Sequence, residues 1–93
     1  MDSQTFGDVF DALAKTPAEA ANMKARADLL SMVATQVNAW GLPQEIAATR
    51  LGITRPRLND LLRGTLGKFS IDALVNIATA AGLVLEIHVA AAA

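Results

Sequence analysis

Three residues close together in the chain carry side chains that can read the edge of a base: Arg55, Arg57 and Asn59. An arginine fork matches the O6 and N7 acceptors of guanine, and an asparagine amide matches N6 and N7 of adenine. Around them lie groups suited to phosphate oxygens: Gln44, Thr54, Arg63, Thr65 and Lys68. Between residues 42 and 69 there are five basic and two acidic residues, a local charge of +3. The whole chain, with 8 basic and 9 acidic residues, carries −1. The positive charge is therefore a patch and not a bulk property. Residues 1–45 lean the other way, with six acids against three bases.

Base-reading side chains need an element that carries them into a groove. The stretch QEIAATRLGITRPRLNDLLR, residues 44–63, has the spacing of two short helices joined by a tight turn. Counting from Gln44, Ala48 is fifth, Gly52 ninth, Ile53 tenth, Leu58 fifteenth and Leu61 eighteenth. Ala48 must be small because the second helix crosses over it. Gly52 ends the first helix at a positive φ that glycine adopts at little cost. Ile46, Leu51, Ile53, Leu58 and Leu61 are expected to bury the inner faces and fix the interhelical angle. The outward set on the second helix is then Thr54, Arg55, Arg57, Asn59, Asp60 and Arg63. We read Arg55, Arg57 and Asn59 as base contacts, and Gln44, Thr54, Arg63, Thr65 and Lys68 as phosphate contacts. This is the spacing of a helix-turn-helix, a motif whose second helix is expected to enter the major groove. Asp60 is the one acid on that helix, free to cap, to pair with Arg57 or Arg63, or to accept from a cytosine amine.

The flanking elements follow from local signals. Phe6, Val9, Phe10 and Leu13 form one apolar stripe at helical spacing, with Asp8 and Asp11 on the other side, and so short a helix must dock either on its own domain or on a partner. Thr16, Pro17 and Glu19 mark a helix start that meets no breaker before Gly41. Its second half, with Leu29, Leu30, Val33, Val37 and Trp40, reads as core, and its alanine-rich first half as projecting. Short helices are predicted over 43–51, over 55–62 or 63, and over 71–81, the last two capped by Thr54 and Ser70. Residues 83–89 alternate instead. Leu83, Leu85, Ile87 and Val89 share one face, the period of a strand. A lone strand leaves backbone groups unpaired, so the same strand of a second copy is its simplest partner.

Composition excludes several other classes. Apolar residues make up 53% of the 93, but 19 of them are alanine, which leaves a thin supply for a core. With no cysteine and one histidine, disulfides and thiolate or histidine-cluster metal sites are absent as supports. A partner chain remains. No apolar run approaches the ~20 residues that span a bilayer, so no membrane association is expected. The acidic start lacks the pattern of a secretory leader, which makes a cytoplasmic location the expectation. No catalytic constellation, phosphate loop or convergent carboxylate pair is present, so neither an enzyme nor a cofactor is expected. His88, beside Glu86 on the expected strand, reads as an interface or exposed residue.

The blocks at 6–29, 41–64 and 68–87 together resemble the Xre/Cro-type helix-turn-helix regulators. They most resemble the HigA-type antitoxins of type II toxin–antitoxin modules. The resemblance covers nearly the whole chain, and the first block distinguishes it from generic phage-repressor domains. Arg55 and Asn59 depart from it, since glutamine and serine are frequent there, so an operator sequence does not carry over. The resemblance implies an all-α, lambda-repressor-like bundle of about five helices, with one C-terminal β-strand pairing across a dimer. It implies an operator-binding repressor of its own operon, with double-stranded operator DNA and a RelE/HigB-like ribonuclease toxin as partners. On this view residues 1–25 form an acidic, amphipathic arm, and Phe6, Val9, Phe10 and Leu13 would take the toxin. Residues 26–82 would hold the DNA-binding domain. Residues 83–93 would hold the dimerisation strand and tail, with Leu83, Leu85, Ile87 and Val89 at the interface. A solitary regulator without a toxin, and a helical protein-interaction module that does not bind DNA, are the alternatives.

Overall fold

The computed structural model describes residues 16–92. The Phe6, Val9, Phe10 and Leu13 stripe lies outside the described residues.

Helix α1, Pro17–Trp40, begins where the Thr16 hydroxyl accepts from the Glu19 amide at 3.1 Å. It stops at Gly41, which turns to a φ of 63°. Along its 24 residues only Leu30, Val33 and Val37 are fully buried, all in the second half. The first half, rich in alanine, stands largely clear of the core as expected, and α1 runs unbroken through residues 25 and 26.

Helix α2, Gln44–Leu51, ends at Gly52, whose φ is 71°. Helix α3, Arg55–Leu62, starts where the Thr54 hydroxyl accepts from the Arg57 amide at 3.3 Å. A short 3-10 turn, Leu66–Lys68, leads to Phe69 and then to helix α4, Ile71–Ala80. The Ser70 hydroxyl caps α4 by accepting from the Ala73 amide at 3.1 Å. Three of three expected hydroxyl caps therefore form, because each needs only residues within one turn.

The four helices enclose one core. α1 packs mainly on α4, and α2 on α3. Phe69, Leu58, Leu61, Leu74 and Val33 are its largest fully enclosed side chains. Ala47, Ala48, Leu51, Ile77, Ala78 and Ala81 complete it, and no buried side chain among the described residues is polar or charged. The α4 stripe of Leu74, Ile77, Ala78 and Ala81 is buried as its spacing predicts. At the end of α4, the Gln36 side-chain amide donates to the Ala81 carbonyl at 3.3 Å. That bond ties the helix end back to α1.

One expectation is not met in the single chain and another is corrected. The first is the C-terminal strand, expected to pair with a second copy: residues 83–92 form neither helix nor strand in the single chain. Leu83 is half-buried against the core, while Val84, Leu85, Ile87 and Val89 are exposed. A strand needs a neighbouring strand to receive its N–H and C=O groups. The described residues offer none. The second is Ile46, expected on the inner face of α2 but 53% exposed. α2 buries Ala47, Ala48 and Leu51. At about 100° per residue, Ile46 lies roughly 150° from the centre of that face.

Candidate nucleic-acid interface

Two small residues set the spacing of the motif. Ala47 and Ala48 are 1% and 3% exposed, and α3 seals over them with Leu58 and Leu61, both at 0%. Gly52 shapes the turn: its amide donates toward the Ala48 and Thr49 carbonyls. The next amide, of Ile53, also donates to the Ala48 carbonyl, at 3.0 Å. These bonds satisfy the end of α2 and aim the chain into α3. Ile53 itself is half-buried.

With Leu58 and Leu61 inward, the opposite side of α3 is settled. Arg55, Pro56, Asn59 and Arg63 are exposed there. The sequence did not single out Pro56 as part of this face. It sits in the first turn, where its missing N–H leaves no intrahelical bond unmade. Thr54 is exposed at the start of α3, and Gln44 is exposed at the first position of α2. No side chain caps α2, so its first-turn amides have no side-chain acceptor. Free amides with the positive end of a helix dipole suit a phosphate.

Arg57 is placed differently from the expectation. It is half-buried on the flank of α3, with its guanidinium over the Phe69 ring, 4.4 Å from the centroid. Its Nη1 donates to the Lys68 carbonyl at 3.2 Å. The cause is angular. Arg57 lies about 145° round the helix from the centre of the face that Arg55, Pro56, Asn59 and Arg63 share, toward the loop that carries Phe69. Thus Arg55 and Asn59 share a face, and Arg57 does not join them.

The loop after α3 brings the remaining groups together. Lys68 donates to the Asp60 carboxylate at 3.4 Å, so Asp60 is engaged by Lys68 and not by Arg57 or Arg63. Thr65 is half-buried at the start of the 3-10 turn, and its amide donates to the Asp60 carbonyl at 3.0 Å. Arg26 of α1 reaches the same loop. Its Nη1 donates to the Leu66 and Phe69 carbonyls at 3.1 and 3.4 Å, and its Nε to Asn22 Oδ1 at 2.7 Å. The loop is therefore gripped by arginines from two helices. Reading the sequence missed Arg26, the Arg55–Glu45 pair at 3.3 Å, and Arg50 over the Trp40 ring at 4.6 Å. These pairs are ten or more residues apart, beyond the reach of helical periodicity.

Among the described residues no group of three or more His, Asp or Glu is placed to hold a metal ion. No described helix is long and apolar enough to cross a membrane.

Two helices locked at a small-residue crossing, with arginine and asparagine on the outer face of the second, define a helix-turn-helix domain of the DNA-binding regulator class. Comparison by sequence agrees: a family model described as a helix-turn-helix domain matches residues 12–90, and the chain belongs to that family. No curated protein matches the chain.

Proposed function

We propose that the chain is a sequence-specific transcriptional repressor that reads operator DNA with α3. The observation that carries this is the outer face of α3. Arg55, Asn59 and Arg63 project from it, and the one acid on the helix is engaged by Lys68. Arg55 and Asn59 read bases. Gln44, Thr54, Arg63, Thr65 and Lys68 take phosphates. Arg57 acts from behind, holding the loop that presents Lys68. The test is quantitative binding to an operator selected from random duplexes. Arg55→Ala and Asn59→Ala each weaken cognate binding by about 1–3 kcal/mol and relax preference at one base position. Unaltered affinity and preference in both variants would refute this assignment.

The working form in this reading is a homodimer. Val84, Leu85, Ile87 and Val89 are exposed on one short segment, and Met32 of α1 is 61% exposed nearby. Between them lies a groove of about 450 Å³ lined by Leu29, Met32, Ala78, Leu83 and Leu85 among others. Pairing of residues 83–89 with their copy across a two-fold axis would supply the missing strand neighbour and cover this surface. A two-fold dimer spaces its half-sites about 34 Å apart on one DNA face.

The resemblance to HigA-type antitoxins supports a further role, neutralising a RelE/HigB-like ribonuclease through the acidic arm over residues 1–25. Co-expression with the protein encoded by the adjacent reading frame tests it. Deletion of residues 1–15 should abolish neutralisation and spare DNA binding. Continued neutralisation by the deleted chain would overturn the role of the arm. The solitary-regulator alternative predicts no such neighbour.

A further inference from the structure

The segment after α4 is nearly its own complement. Leu83 still belongs to the end of that helix: its amide donates to the Ala78 carbonyl at 3.0 Å, and its side chain packs against the core. The stretch open to a second strand therefore begins at Val84. Odd and even positions then differ. Leu85 is 42% exposed and lines the groove with Leu29 and Met32 of α1, while Val84 is 87% exposed. The odd set, Leu85, Ile87 and Val89, is apolar, and the even set holds Glu86 and His88. Both sets are centred on Ile87: Leu85 and Val89 flank it at two residues, Glu86 and His88 at one. Glu86 brings a carboxylate and His88 a ring N–H, so the nearer pair is complementary and not alike. Within the chain His88 Nε2 lies 3.9 Å from Glu86 Oε2, and both side chains are exposed.

We propose that two copies of the chain pair residues 84–90 antiparallel about a two-fold axis at Ile87, with Glu86 of each strand facing His88 of the other. This rests on the dimer reading above and gives that dimer its register. Residues directly opposite in an antiparallel pair project from the same face of the sheet. Apolar residues therefore meet apolar ones only when the axis passes through a residue, and not between two. Four such positions are within reach. An axis at Leu85 leaves only residues 84–86 to pair. At Glu86 it sets two carboxylates directly opposite each other, which is destabilising. At His88 it sets Leu85 opposite Ala91 and Glu86 opposite Ala90. At Ile87 it sets Leu85 against Val89, Ile87 against its own copy, and Glu86 against His88 twice. Each such cross-strand pair favours this register by a factor of roughly 1.4 to 5. A two-stranded ribbon holds in water only with one face packed. The odd face meets that need, turned to Leu29 and Met32 of each α1.

The chain has no cysteine, so a single one serves as a probe of register. The test uses the full chain carrying Glu86→Cys, Ile87→Cys or His88→Cys, mildly oxidised and resolved on a non-reducing gel. About an axis at Ile87, the two Cα atoms at position 87 are about 4.5–5.5 Å apart, within disulfide range. Those at 86, or at 88, are diagonal neighbours at roughly 8 Å, beyond it. Ile87→Cys bridges and the other two do not. Exchange of charge is the second measurement. Glu86→Lys and His88→Glu each weaken the dimer, raising its Kd roughly 2- to 25-fold over the two pairs. Combined in one chain they restore it, because opposite charges meet again with the sides exchanged. A dimer that bridges at 86 or 88, or at none of the three, overturns the register and leaves dimerisation standing. So does a double substitution that fails to restore. A parent chain that is monomeric by light scattering overturns the dimer reading itself, a different and distinguishable result.

Discussion

The Arg57 guanidinium covers the Phe69 ring at 4.4 Å from its centroid and donates to the carbonyl of Lys68, the residue just before that ring. One side chain of α3 thus grips both the core anchor and the backbone of the loop that follows. Phe69 is 1% exposed and Arg57 lies on its outer side, so the stack closes the core at this corner.

Substitution of Arg57 separates positioning from reading. Arg57→Ala removes a cation–π contact worth about 0.5–1 kcal/mol at an exposed site, and one hydrogen bond besides. The melting temperature should fall by several degrees. DNA affinity should drop evenly across sequences, because Lys68 loses its support. Loss of preference at a single base position, with stability intact, would show instead that Arg57 touches a base.

Gly52 offers a test of the turn free of steric confusion. A Cβ built there meets nothing within 4 Å, and its φ is 71°. Gly52→Ala should therefore cost only the left-handed strain, about 1–2 kcal/mol in chemical denaturation. Gly52→Asn should cost less, since asparagine tolerates that region better. Equal losses in the two variants would mean that something other than backbone conformation is at work.

The crossing point should reject added volume. Ala48 is 3% exposed beneath α3. Ala48→Leu forces the helices apart and should destabilise the domain by about 1–3 kcal/mol or more. DNA binding should decline further than stability alone accounts for. A variant with unchanged melting and binding would contradict the close approach of α2 and α3.

The exposed C-terminal segment carries the dimer prediction. Ile87 and Val89 are 75% and 89% exposed in the single chain. Deleting residues 83–93, or replacing Ile87 with Lys, should yield monomers by light scattering. Operator affinity should weaken with them, because two half-sites are no longer held together. A dimer that persists in both variants would place the interface elsewhere.

The parts of this fold that could be read from sequence are those settled within one turn. Thr16, Thr54 and Ser70 sit next to the amides they accept from. Gly41 and Gly52 stand where the apolar stripes stop, and both adopt positive φ. The inner face of α3 was legible because Leu58 and Leu61 are a helical turn apart. Arg57 was misplaced because its direction depends on Phe69, in a loop whose course the sequence does not encode locally. Ile46 was misplaced because alanines fill the α2 contact and leave the larger side chain outside. The strand over 83–89 does not form in the single chain, whose described residues hold no neighbouring strand to receive its N–H and C=O groups.

The division of labour on α3 has an evolutionary consequence. Leu58 and Leu61 hold the helix, while Arg55 and Asn59 touch nothing in the core. Their replacement is close to neutral for folding, so under the proposed base readout binding preference would drift without passing through unfolded intermediates. If Arg55 and Asn59 read bases as proposed, two exposed letters would be enough to send copies of one scaffold to separate operators. The same freedom lets an experimenter rewrite the address on an unchanged scaffold.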